Sequence, residues 1–377
     1  MPTASDELNS KLKSLLNELI GKKNIKHAIA AIESGDKSFR WVGAAGLANA
    51  TDTPMLESTP FFIASITKLF IAVSVMKLYE NGQLQLDKSL SNYLPENLTR
   101  NIHTKDGVDH SDRITVQHLL SHSSGLPDWI EDRPKGGKSF VERIENEEDR
   151  LITIEEIIEI VRENLLPHFP PQPLNSKHIK VRYSDTNYHL LMVIIANVTR
   201  KPLSEVFNEL IYQPLGLNHT FHPEQTDDKN NLKPALIWNE SKPLNKPLLI
   251  QSFRDLYSTA DDLLKFMKAL VQGKIFKQHS TIEMMQHWNR FGFPKDKASL
   301  RLPGWPIEYG FGMMRFQLPR WLTPFKAIPE LIGHTGSTGS WLFYCPERDL
   351  FFCGTVDQVT AGAVPFRFVP KLLHTIG

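Results

Sequence analysis

Residues 61–82, Phe-Phe-Ile-Ala-Ser-Ile-Thr-Lys-Leu-Phe-Ile-Ala-Val-Ser-Val-Met-Lys-Leu-Tyr-Glu-Asn-Gly, constrain this chain more than any other stretch. From Thr67 onward they predict a long helix closed by Gly82, a residue suited to the left-handed turn after a helix. A helix apolar on all sides belongs in an interior. Its start nevertheless carries Ser65 and Lys68, three residues apart and so on one face. Burying an ammonium beside a hydroxyl is costly unless each has a partner. Taken alone, the pair reads most simply as a serine cap with a lysine reaching out to solvent, because S-x-x-K is a short pattern.

The rest of the 377-residue chain frames that helix. Residues 6–21 place Leu8, Leu12, Leu15, Leu16 and Leu19 on one side, which predicts an amphipathic helix. Strands are expected at 26–33 and 38–46, then at 310–317, 328–334, 339–345 and 350–356, before a final helix near 364–375. Between these ends helices are expected at 114–125, 153–165, 186–199, 202–212 and 261–272, the last capped by Ser258-Thr-Ala-Asp-Asp262. Residues 97–113, 131–150, 222–250 and 291–308 read as loops. The expected fold is α/β with a helical lobe. An antiparallel sheet built from both ends of the chain (1–90 and 240–377) is flanked by the terminal helices, and a mainly α domain (91–239) is inserted.

Composition removes several classes of function. A formal net charge of +1 offers nothing to nucleic acid or an anionic membrane as partner. No stretch reaches the roughly 18–20 uncharged apolar residues of a membrane span. The N-terminus lacks the apolar run of a signal peptide, so a cytoplasmic protein is expected. Cys345 and Cys353 flank the turn Pro346-Glu-Arg-Asp349 and, not facing each other across it, are expected to be free, buried thiols. His118 and His122 lie four apart on a helix but lack the glutamate of H-E-x-x-H, so structural roles are expected, with no metal and no other cofactor.

Three short stretches carry chemistry: Ser65-Ile-Thr-Lys68, Tyr183-Ser-Asp185 after a proline-rich connector, and His334-Thr-Gly336 at the end of an apolar strand. A serine hydroxyl is a poor nucleophile until a base takes its proton. The Gly-x-Ser-x-Gly elbow is absent, which leaves Lys68 and Tyr183, with unperturbed pKa values of roughly 10.4 and 10. Burial would lower Lys68, and a charged Lys68 would lower Tyr183, so the two titrate as a pair and either can serve as base.

This triple resembles the serine β-lactamase and penicillin-binding superfamily, marked by S-x-x-K, a Tyr- or Ser-x-Asn element, and Lys-Thr-Gly or His-x-Gly. It is most similar to the class C β-lactamase branch, with its D-alanyl-D-alanine carboxypeptidases, D-aminopeptidases and esterases. The likeness extends to residues 114–128, Pro214-Leu-Gly-Leu217, Ser258-Thr-Ala-Asp-Asp-Leu263, Tyr309-Gly-Phe-Gly312 and Gly333-His-Thr-Gly-Ser-Thr-Gly339, in family order. The resemblance implies Ser65 as the acylated nucleophile, Lys68 and Tyr183 as the acid–base pair, and the backbone N–H groups of Ser65 and Ser337 as the oxyanion hole. Asp185, His334, Thr335 and Gly336 would line the substrate site.

Two positions depart from the pattern. Asp185 stands where asparagine is usual in the lactamases, and Asp357 where the family often has asparagine at a strand end. Asp185 either caps the helix that follows or faces Lys68 and holds it charged, which would make Tyr183 the better base. Trp129, Trp305 and Trp341 either line an acyl pocket or simply pack in the core. Two added acids, with histidine in place of the third motif's lysine, would make the site unwelcoming to a substrate carboxylate. The expectation is a serine hydrolase working through an acyl-enzyme on Ser65, of carboxylesterase or amide-hydrolase type, on a small ester, amide or lactam. The alternatives are a β-lactamase, a D,D-carboxypeptidase or a D-aminopeptidase and, outside the enzymes, a non-catalytic scaffold with this fold.

Overall fold

The computed structural model describes residues 5–176, 179–225, 233–291, 307–318 and 327–377. Its largest sheet has eight antiparallel strands: β1 (His27–Ser34), β2 (Arg40–Gly46), β3 (Asn289–Arg290), β4 (Ile307–Tyr309), β5 (Met314–Phe316), β6 (Leu331–Thr335), β7 (Trp341–Cys345) and β8 (Leu350–Thr355). They lie in the order β2-β1-β8-β7-β6-β5-β4-β3, so the two ends of the chain meet where β1 pairs with β8.

Alternation along the strands puts apolar side chains on both faces, and each face is covered. Ala28, Ala30, Ile32, Phe343 and Phe352 pack with Leu12 and Leu16 of α1 (Asp6–Asn17) and with the C-terminal helix Pro365–Ile376 through Phe366, Val369 and Leu372. Ile29, Ala31, Leu342, Phe351 and Cys353 face the other way, toward α2 (Thr67–Glu80), α3 (Asp185–Thr199) and α4 (Ala260–Val271). The buried helix α2 is clamped by its neighbours; Phe70 stacks on Phe266 of α4 with ring centroids 3.9 Å apart. Both cysteines are free and buried, in β7 and β8, and pair with Leu350 and Leu342 rather than with each other.

Two local expectations change. The single strand at 310–317 is instead the hairpin β4–β5, closed by Gly310 N–H to Met313 O (2.9 Å) with Gly312 at φ 71. A Cβ on Gly312 would lie 2.7 Å from the Lys68 carbonyl oxygen, so this glycine lets the hairpin touch α2. Within the stretch expected to lack structure, Pro247–Phe253 forms a helix, with proline in the first turn where no N–H is required. Among the described residues no helix is long and apolar enough to cross a membrane.

Candidate active site

The chain reaches the candidate nucleophile through a forced turn. Phe61–Phe62 pairs with Tyr257–Ser258, and Ile63 N–H donates to Leu256 O (2.9 Å). Ala64 then takes the left-handed conformation, φ 46, unusual for a residue with a Cβ. Ser65 follows in a short 3₁₀ turn that runs straight into α2. Ser65 is therefore no simple cap.

Two donors converge on its oxygen. Lys68 Nζ donates to Ser65 Oγ at 3.0 Å and Tyr183 Oη donates to it at 2.8 Å. Lys68 is buried, 2% exposed, and its ammonium is in contact with Asp185 Oδ1. It also lies 5.0 Å from the Tyr183 ring centroid and 5.5 Å from that of Tyr188. Asp185 begins α3, but the preceding residue, Ser184, makes no side-chain cap and the Asp185 carboxylate goes to Lys68. Of the two readings of Asp185, the ion pair is the one observed. One carboxylate oxygen of Asp185 is thus engaged by the lysine.

The third motif lies against the same turn. Gly336 N–H donates to Ser340 O (2.8 Å), Gly339 N–H donates to Gly336 O (3.0 Å), and the Ser340 hydroxyl donates to Ile63 O (2.9 Å). A Cβ on Gly336 would lie 2.7 Å from the Ile63 oxygen and 2.8 Å from Ala64 Cβ, so only glycine fits here. The neighbouring Ser337 is exposed, and its N–H has no acceptor among the described residues. Thr335 is buried just before this turn.

Both ring nitrogens of His334 are engaged within the protein. The residue is fully buried, its Nδ1–H donates to Thr335 O (2.7 Å), and Nε2 accepts from Tyr309 Oη (3.1 Å). Burial, followed by the Lys68 ammonium, pushes the imidazole down to about 3, so the ring is neutral with no nitrogen left for a substrate. Asp357 is outside the site: fully buried, it bonds His27 Nε2 (3.0 Å) and the Thr355 hydroxyl (2.9 Å). Trp129 and Trp341 are core side chains, 1% and 0% exposed, and Trp305 lies outside the described residues.

Lys68 follows the reading in which Asp185 holds it charged, whereas Tyr183 departs from the expected lowering. Burial alone would push Lys68 down, but the carboxylate of Asp185, followed by Tyr183 and Asp255, reverses this and holds the amine well above its usual range. For Tyr183 burial wins over the lowering by Lys68, and the phenol is raised well above its usual range. The resting state thus pairs a charged lysine with a neutral tyrosine. Asp255 was not anticipated. It bonds the Thr67 hydroxyl, and burial pushes its carboxyl up to about 7. Its only sequence signal is an Arg-Asp pair interrupting the apolar run Phe253 to Tyr257. His118 has the structural role expected: Nδ1 meets Thr115 in a capping box, and Nε2 donates to Gln172 O at 2.7 Å. Among the described residues no group of three His, Cys, Asp or Glu side chains is placed to hold a metal ion.

A serine and a lysine at the start of one buried helix, met at the serine oxygen by a tyrosine that precedes another, on a sheet covered on both faces, match the class of β-lactamase-related serine hydrolases. The chain belongs to the beta-lactamase family, whose model matches residues 15–361. It is 25% identical over 329 residues to the D-alanyl-D-alanine-carboxypeptidase/endopeptidase AmpH of Escherichia coli (strain K12), covering 86% of this chain and 77% of that one. Esterase EstB of Burkholderia gladioli is 23% identical over 332 residues, 80% of this chain and 79% of the esterase. In fold the chain is similar to the D-amino acid amidase from Ochrobactrum anthropi SV3 complexed with D-phenylalanine, with TM-score 0.75, 21% identity, and 98% and 99% of the two chains covered.

Proposed function

We propose that this protein hydrolyses small esters or amides through an acyl-enzyme on Ser65. The observation that carries the reading is the convergence of Lys68 Nζ (3.0 Å) and Tyr183 Oη (2.8 Å) on one serine oxygen. Lys68, kept charged by Asp185, acts as a fixed positive charge that favours the phenolate of Tyr183. The fraction of Tyr183 that has released its proton to solvent takes the Ser65 proton as Oγ attacks the carbonyl, and Tyr183 returns that proton to the leaving group. The N–H groups of Ser65 and Ser337 would hold the oxyanion; the contact of Gly336 with Ile63 and Ala64 supports their proximity. Water then attacks the acyl carbon by the same route in reverse.

The electrostatics favour substrates without a carboxylate beside the scissile bond. Lys68 is already matched by Asp185 and has Asp255 as a second carboxylate neighbour, while His334 is neutral. A second reading, hydrolysis of amino-acid amides, draws support from Asp255, a half-buried carboxylate next to the Ser65 turn that suits a substrate ammonium, and from the amidase-like fold. The experiment is a panel of short- and long-chain p-nitrophenyl esters, nitrocefin and D-amino-acid amides. Ester or amide turnover with little nitrocefin hydrolysis is expected; rapid nitrocefin hydrolysis without esterase or amidase activity would refute the reading.

A further inference from the structure

We propose that His122 is the positioning residue for Tyr183, gripping the backbone on both sides of the phenol and so fixing where Tyr183 Oη meets Ser65. This rests on the acyl-enzyme reading above. The His122 carbonyl accepts the Arg182 N–H at 2.9 Å, and its ring Nδ1 accepts the Ser184 N–H at 3.2 Å. The residues immediately before and after Tyr183 are thus tied to a single histidine. The same ring packs against Tyr183 itself, with centroids 4.5 Å apart, and against Tyr309 at 4.6 Å.

Asn187 decides which ring nitrogen accepts. Its Oδ1 takes the Ser124 hydroxyl (2.7 Å), which leaves Nδ2 to donate to His122 Nδ1 (3.0 Å). With two N–H donors aimed at Nδ1, the proton of the neutral ring sits on Nε2. A proton on Nδ1 would set donor against donor and release Ser184. Burial, followed by the Lys68 ammonium and His334, holds the ring well below the usual histidine range and preserves that state.

Two costs are accepted for this arrangement. His122 has φ 54, a left-handed conformation that a Cβ disfavours. Its Nε2 is buried with no hydrogen-bond partner among the described residues. The far nitrogen contributes nothing; the used feature is the acceptor at Nδ1.

The test compares His122→Phe, which fills the space without an acceptor, with His122→Asn, whose amide oxygen replaces Nδ1 and whose backbone tolerates the left-handed turn. On a p-nitrophenyl ester, His122→Phe is expected to lower kcat about 100-fold with KM changed less than about threefold, and His122→Asn to stay within about threefold of wild type. Wild-type kcat in His122→Phe, or equal damage in both variants, overturns the clamp. Should His122→Phe not fold, nitrogen-15 histidine spectra of the native protein decide: protonated Nε2 and bare Nδ1 from about pH 6 to about 9 are expected, and an Nδ1–H tautomer or an imidazolium overturns it. Ser65→Ala separates the two readings. Activity that survives it refutes the acyl-enzyme while the spectra still judge the clamp; activity lost in Ser65→Ala but kept in His122→Phe refutes the clamp alone.

Discussion

Replacing Asp185 with asparagine changes one charge and almost no volume, and it acts on the group that sets Lys68. The lysine is 2% exposed and the Asp185 side chain 15%, so solvent screens the pair little. Two unit charges about 4 Å apart at an effective dielectric of about 20 attract by about 4 kcal/mol. Without the carboxylate, burial becomes the dominant influence on Lys68 and its affinity for a proton falls by that order. The sign of the kinetic effect follows. On the proposed mechanism the wild-type base is a phenol raised by burial, so kcat/KM is expected to rise with pH into the alkaline range. In Asp185→Asn a neutral Lys68 becomes available to take the Ser65 proton, and the rising limb moves to lower pH by at least about one unit. The assay is kcat/KM on an uncharged p-nitrophenyl ester from about pH 5 to about 10, with thermal melts at each pH. Destabilisation is expected to be largest at low pH, where Lys68 is forced to carry an unpaired buried charge. A limb that stays in place, or moves upward, in a folded variant would refute the role given to Asp185.

Further outcomes follow from the same contacts. Gly336→Ala sets a Cβ 2.7 Å from the Ile63 carbonyl oxygen, and the shift this forces should cost about 1–3 kcal/mol in stability and reduce kcat, read by melts and ester kinetics. Phe70→Ala removes a buried ring stacked on Phe266 and should cost about 3–5 kcal/mol by denaturant titration while leaving Ser65 reactive. Asp255 has its carboxyl raised from 3.8 to about 7, so its contribution to stability is full below the lower value and is lost as pH rises through the higher one. Asp255→Asn should therefore gain stability relative to wild type between about pH 4 and 8, and a constant difference across that range would contradict the assignment.

The sheet was legible because its strands are apolar runs that end in turns, and because both ends of the chain carry them. The helix behind Ser65 was legible for the same reason: few other places exist for a 14-residue helix so lacking in polar side chains. What escaped was set by tertiary contact. The charge on Lys68 depends on a carboxylate 117 residues away, and spacing alone left open whether that carboxylate capped a helix or faced the amine. His122 stood in a recognised segment, yet its use lies in a ring nitrogen turned toward Ser184, which no periodicity records. His334 belongs to a motif that borders the site, but the spacing gives no sign that Tyr309 and the Thr335 carbonyl take both of its ring nitrogens. Asp357 likewise stands at a strand end but pairs with His27 in the interior.

The covalent step on Ser65 is tested most directly by mass spectrometry of the protein after reaction with a fluorophosphonate, run on wild type and Ser65→Ala. One adduct mapped to Ser65, with neither label nor hydrolytic activity in Ser65→Ala, is the expected result. A folded wild-type protein that takes no label, a label on another residue, or ester hydrolysis that persists in Ser65→Ala would contradict it.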